Sequence, residues 1–409
     1  MKENKMSRTD LANLSGIHLS DISRILKNKQ SLSFNNLDII TESLGFDEGD
    51  LYFYYIEECF NESRNLDKRK SEQFLYNCAA KGFDAQLLSL FSLILEERSK
   101  SIRNKSLSFI FTVAEKLFIE GKELESLPLY KVIIENMPDQ FSEEVAISHF
   151  RRFYILRFTE EGQYALEQAL EHIAYLPKDI QFQAYVRITA TLYIRREWKK
   201  TLYYACVLEK MAEEEEHYGT ALLYQSFALR CLGSSLTDVL ALIDRYARVN
   251  DYFADIAIGN RLVAYLDFGH LDYVDEYFNW LKDREDFFAG IPRVLDAYVK
   301  LSRLEDAKQL IKGHYNKIEE MATNSDYSFK KQMFLRFRYT YALFLFECNR
   351  YTEGFDVLLD VASKFRKVRM IDRFKQCLIV YWKNRDNIST KHEEIYLRLL
   401  ETDQMNKLP

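Results

Sequence analysis

The chain has 409 residues, with 56 Lys and Arg against 62 Asp and Glu, and its formal net charge of −6 argues against a protein that coats nucleic acid over its whole surface. Only 13 Gly and 5 Pro interrupt it, while 14% of residues are aromatic and 29% charged, so a mostly helical protein with more than one domain is expected. No apolar run approaches the roughly 18 residues that span a bilayer, and the polar start Met1-Lys-Glu-Asn-Lys is unlike a signal peptide, so no membrane contact and a cytoplasmic location are expected.

The first pattern in the chain lies between Ser7 and Leu51. From Asp10 to Asn28 the residues read as an apolar helix, a tight turn at Gly16 and a second helix, because Gly accepts the positive φ that lets two helices cross after so few residues. Leu11, Ala12, Ile17, Ile22 and Ile25 fall on one inner face. Left outside is a short polar surface of the kind laid into a DNA major groove: Leu19, Ser20, Asp21 and Arg24 toward the bases, Ser23 on the same outer face, and Lys27, Asn28 and Lys29 near phosphate. Residues 1–36 carry six Lys and Arg against three acids, a local net charge of +3. That suits phosphate contacts but is too modest for one head alone, so two heads on a two-part double-stranded operator are expected.

This segment resembles the lambda-repressor-like helix-turn-helix of the XRE type. The resemblance extends through Ser31-Leu-Ser-Phe34, similar to the usual linker, and through Leu37 to Phe46, similar to the fourth helix, as far as Leu51. Such domains begin with a full first helix, whereas only Met1 to Met6 precede the match, so that helix is expected to be short or missing.

Beyond Tyr52 the chain repeats. Small or apolar residues five positions after a turn recur at Leu87, Ser126, Ala165, Thr201, Asp238, Val274, Ala307 and Gly354, spaced close to the 34-residue period of tetratricopeptide-type helix pairs. The clearest unit runs from Val113 to Pro138, with Ala114 and Ser126 letting helices approach, Gly121 turning the chain and Pro138 ending it. The widest gap contains residues 321–326, the best candidate for a loop. The expected fold is therefore all-α: the head at 1–55, a linker helix at 56–70, and a right-handed superhelical array of tetratricopeptide-like pairs at 71–409.

Stacked pairs offer a groove lined by the first helix of each pair, open to an extended ligand. The repeat register places Tyr154, Arg157, Gln183, Tyr193, Phe227, Arg230, Arg336 and Tyr339 there, with Asn260 at the edge. Aromatic walls with Arg at intervals suit a short peptide, since rings cover apolar side chains and guanidinium groups pair with carbonyls or a terminal carboxylate. The last apolar stretches, Phe374 to Trp382 and Ile395 to Leu400, are the expected homodimer contact in the C-terminal repeats.

Catalytic signals are lacking. The seven His residues form no metal-binding motif, there is no phosphate-binding Gly-rich loop or nucleophile elbow, and no cofactor or enzymatic activity is expected. The six Cys residues show no CxxC pair and read as mostly buried free thiols.

A helix-turn-helix followed by such repeats resembles the Gram-positive cytosolic pheromone receptors, the Rap, Rgg, NprR, PlcR and PrgX group, with the phage arbitrium receptors as relatives. The resemblance implies a homodimeric transcription factor whose repeats bind a short signalling peptide that changes DNA binding. The alternative is a repeat scaffold that binds another protein without peptide gating.

Overall fold

The computed structural model describes residues 6–323, 328–367 and 370–401. Among them there is no strand, and the all-α class expected from composition is what forms. Four short helices come first: α1 (Arg8–Ser15), α2 (Leu19–Ile25), α3 (Phe34–Ser43) and α4 (Tyr52–Tyr55). Longer helices come next in succession: α5 (Lys68–Lys81), α6 (Asp84–Glu96), α7 (Lys100–Ile119), α8 (Glu123–Asn136), α9 (Glu143–Leu156), α10 (Gly162–His172), α11 (Lys178–Ile194) and α12 (Trp198–Met211). The remainder are α13 (Glu215–Leu232), α14 (Leu236–Tyr246), α15 (Asp251–Asp267), α16 (Val274–Leu281), α17 (Phe287–Lys300), α18 (Leu304–Thr323), α19 (Ser328–Glu347), α20 (Tyr351–Lys367), α21 (Ile371–Lys383) and α22 (Thr390–Glu401).

The sequence marks fall on every second helix from α6 to α20, near its start, because a small or apolar residue is needed where that helix meets the one before it. Leu87, Ser126, Ala165, Thr201, Val274 and Ala307 are all buried there. Asp238 is a correction: it is exposed at the start of α14, where Ser235 caps the helix by accepting its N–H at 3.1 Å, and Val239 takes the buried position. In α20 the mark is Gly354, whose missing Cβ makes room for the Phe346 ring.

The chain divides into two compact units, one ending at Ile188 and one starting at Thr189, with the boundary inside α11. In the first unit an apolar core runs from Phe34 to Val145. The second unit holds successive apolar clusters, centred on α14 and α15, on α16 to α19, and on α19 to α21, so each helix draws its burial from chain neighbours.

Two expected boundaries differ. Where a linker helix is expected over 56–70, the chain makes a 3-10 turn (Ile56–Cys59), an isolated bridge between Phe60 and Leu66, and only then α5. The reason is local: Asn61 Oδ1 accepts the N–H groups of Ser63 at 2.9 Å and Asn65 at 3.0 Å, a turn that competes with the helix ladder. Asp67 then caps α5, accepting the Lys70 N–H at 3.0 Å. In the expected loop at 321–326, α18 continues to Thr323 and residues 324–326 lie outside the described ones. Of the cysteines, Cys59, Cys78 and Cys377 are buried as expected, but Cys231 near the end of α13 is exposed.

Candidate DNA-reading head and a cationic cavity

In the head, Ser7 and Asp10 form a reciprocal capping box that starts α1, with Ser7 Oγ accepting at 3.1 Å and Asp10 Oδ2 at 2.9 Å. Residues 1–5, where a shortened first helix is expected, lie outside the described ones. Gly16 ends α1 at φ 67°, in the left-handed region, and the chain enters α2 through His18, whose Nδ1 accepts the Ser20 N–H at 3.3 Å and lies 2.7 Å from Ser20 Oγ. Leu11 and Ile22 are buried between the two helices, while Ala12, Ile17 and Ile25 are half-buried.

The candidate reading residues are distributed around this core. Leu19, Ser20, Arg24, Lys27, Asn28 and Lys29 are exposed, and Asp21 and Ser23 are half-buried. Asn28 closes α2 in the left-handed conformation at φ 53°, and the Lys29 N–H returns to the Arg24 carbonyl at 2.8 Å. That turn fixes where Lys29 leaves the helix end.

The head shares its core with α4, α5 and the start of α6. Phe34 of α3 packs 4.9 Å from Tyr52, 5.4 Å from Tyr55 and 6.1 Å, edge-on, from Phe74 of α5. Tyr52 donates to Asp38 Oδ1 at 2.7 Å, Phe83 packs against Gly49, and Lys81 pairs with Glu48. Burial first, then the hydrogen bond to Asp38, push the Tyr52 phenol far above its ordinary value, so it stays a donor.

In the second unit, five of the nine expected groove residues line one cavity of about 200 Å³: Tyr193, Phe227, Arg230, Asn260 and Arg336. They come from α11, α13, α15 and α19, which are first helices of their pairs, as the repeat register requires. Tyr193 and Phe227 lie 5.1 Å apart and form one wall. Tyr339 is on α19 but does not line the cavity. Tyr154, Arg157 and Gln183 are in the first unit, where the Arg157 guanidinium stacks 3.9 Å over Tyr154 and bonds its carbonyl, and Gln183 is exposed.

Arg230 is a second correction. Its side chain is only 6% exposed and pairs with Asp267 at 3.1 Å, so it is not on an open face. Asp267 also takes both Nε and Nη2 of Arg293, at 2.7 and 3.1 Å. Burial raises the Asp267 carboxyl, but Arg293 and Arg230 outweigh it and hold the group below its ordinary value. Arg230 and Arg293 also line an adjoining cavity of about 270 Å³, so this ion-paired trio sits between the two spaces.

Arg293 and Trp280 are missing from the sequence expectation. A signal for Arg293 exists, since it precedes Ala307 by the interval that separates Asn260 from Val274. Trp280 belongs to α16, the second helix of its pair, and reaches the cavity because Gly259 is bare; a Cβ there would lie 2.2 Å from its ring.

Among the described residues no group of three or more His, Cys, Asp and Glu could hold a metal ion, and no helix is long and apolar enough to cross a membrane. Residues 1–56 match the family described as the Cro/C1-type HTH DNA-binding domain. No curated protein matches the chain. A reading helix presented on a buried core and a family match over that same segment lead to one conclusion: the chain carries an N-terminal Cro/C1-type helix-turn-helix DNA-binding domain followed by a helical, repeat-like region, the make-up of a DNA-binding transcription regulator.

Proposed function

We propose that this regulator is gated by a short signalling peptide, bound in the second unit, that changes its affinity for a double-stranded operator in cell-to-cell communication of the pheromone-receptor kind. The observation that carries the reading is the cavity. Five residues picked for peptide binding from the repeat register alone line a single concave space with an aromatic wall and guanidinium groups. The DNA side rests on Leu19, Ser20, Asp21 and Arg24 toward the bases, with Ser23 on the same face, and on Lys27, Asn28 and Lys29 toward phosphate.

A peptide shifts DNA binding only if it has different affinity for two arrangements of the protein. By linkage DNA then alters peptide affinity by the same factor, typically 5- to 150-fold. Selection of bound duplexes from a random pool, with and without a pool of short synthetic peptides, tests this. Enrichment of one two-part sequence whose retention changes with peptide supports the reading. Enrichment that no peptide alters leaves a transcription regulator without this gate, and no enrichment favours a scaffold.

A further inference from the structure

Among the described residues, every acid that lines the two second-unit cavities already has a cation. Asp267 is held by Arg293 and Arg230, Asp286 lies 3.5 Å from Arg284 Nε, and Asp296 lies 2.7 Å from Lys300 Nζ. Arg336 has none. Among the described residues it makes no ion pair, and its one polar contact runs from Nη1 to Met333 Sδ at 3.8 Å. Arg373 donates to the neutral Gln376 at 2.8 Å and Arg196 stacks 5.6 Å over Trp198, so both add to the positive charge that Arg336 faces. Burial and then Arg293, Arg373 and Arg196 push the Arg336 pKa down to about 9. It remains charged at neutral pH, in a place that disfavours the charge. Nearby, Trp280 lines the same cavity, and its buried indole Nε1 has no acceptor among the described residues. A buried donor with no partner destabilises the fold that holds it.

We propose that the cavity takes a carboxylate of the peptide ligand, and that Arg336 is the residue that recognises it, with the Trp280 N–H as a second donor. This rests on the peptide reading above. A carboxylate presents two oxygens to the planar guanidinium fork and supplies the missing negative charge, while Tyr193 and Phe227 cover the adjoining apolar side chain. Phosphate shares the oxyanion chemistry, so the test separates the two sources. Arg336 destabilises the unliganded fold and binds the ligand, a pairing of effects that a packing residue would not show.

The test uses the full chain and two pools of random hexapeptides. One pool has free C-termini and includes Asp and Glu; the other is amidated and contains neither. Retention is read by mass spectrometry, with pyrophosphate titrated separately by calorimetry. The carboxylate pool is expected to be retained roughly 10- to 100-fold better. Arg336→Gln loses that preference while melting no lower than the parent chain, and Arg336→Lys falls between, keeping charge without the fork. Equal retention of both pools, or unchanged affinity of the selected peptides for Arg336→Gln, overturns the carboxylate site; if the retained peptides still alter DNA binding, peptide gating survives it. Pyrophosphate binding with neither pool retained overturns both.

Discussion

His149 is buried in α9 with its ring stacked 4.0 Å from that of His172, and its Nδ1 has no hydrogen-bond partner among the described residues. Burial, then His172 and Arg152, lower its pKa from 6.5 to about 4. The neutral ring is the form the fold accepts, so its contribution is fully present above pH 6.5 and is lost as pH falls toward 4. A shift of this size corresponds to about 3 kcal/mol. Urea unfolding of His149→Phe at pH 7 and at pH 4.5 should show a smaller loss of stability on acidification than the parent chain shows; an equal loss would remove His149 from the pH response. Two positively charged residues in the head divide the DNA work in the same side-chain-specific way. Arg24→Ala should cost about 1–3 kcal/mol on a selected site and relax base preference, whereas Lys27→Ala should weaken all sequences alike and reduce the salt slope. Footprinting and salt titration separate them, and unchanged footprints for both variants would count against the assigned reading face.

Helices that are strongly marked in the sequence are legible, because burial at a helix pair demands a small or apolar residue at a fixed place. The slip from Val239 to Asp238 shows the limit: a capping Ser-x-x-Asp stands one residue from the buried position and looks like part of the same pattern. The 56–70 segment misleads because its charged residues are good helix formers, while Asn61 closes a turn by side-chain bonds that periodicity does not register. The union of head and array is also illegible. Phe34, Tyr52, Tyr55 and Phe74 are plainly core residues in the sequence, but nothing in their spacing says that α3, α4 and α5 share one core. Five groove residues on first helices are legible, whereas Arg293 on the first helix α17 and Trp280 on a second helix are missed. Because the head is tied in by aromatic packing, Phe74→Ala should cost about 3–5 kcal/mol and speed amide exchange in α1 to α3 as well as in α5. Protection that stays unchanged in α1 to α3 would show that the head holds itself together.

At the scale of the whole molecule, DNA binding by a head of modest charge calls for two copies. Part of the expected contact is spent internally, since Cys377 and Tyr381 are buried in the last apolar cluster, but Ile379, Trp382, Leu397 and Leu400 remain exposed on α21 and α22. Trp382→Glu with Leu397→Glu should therefore turn the proposed dimer into a monomer by light scattering without loss of helix content, and an unchanged mass would count against a contact there. The central claim is that one chain couples a DNA site to a peptide site. Selection of duplexes from a random pool by the full-length protein, with carboxylate-bearing peptides present or absent, measures that coupling directly. One enriched two-part sequence is expected, with an affinity that changes by roughly 5- to 150-fold when peptide is added. An enriched sequence bound equally well with and without every peptide, or no enriched sequence at all, would contradict it.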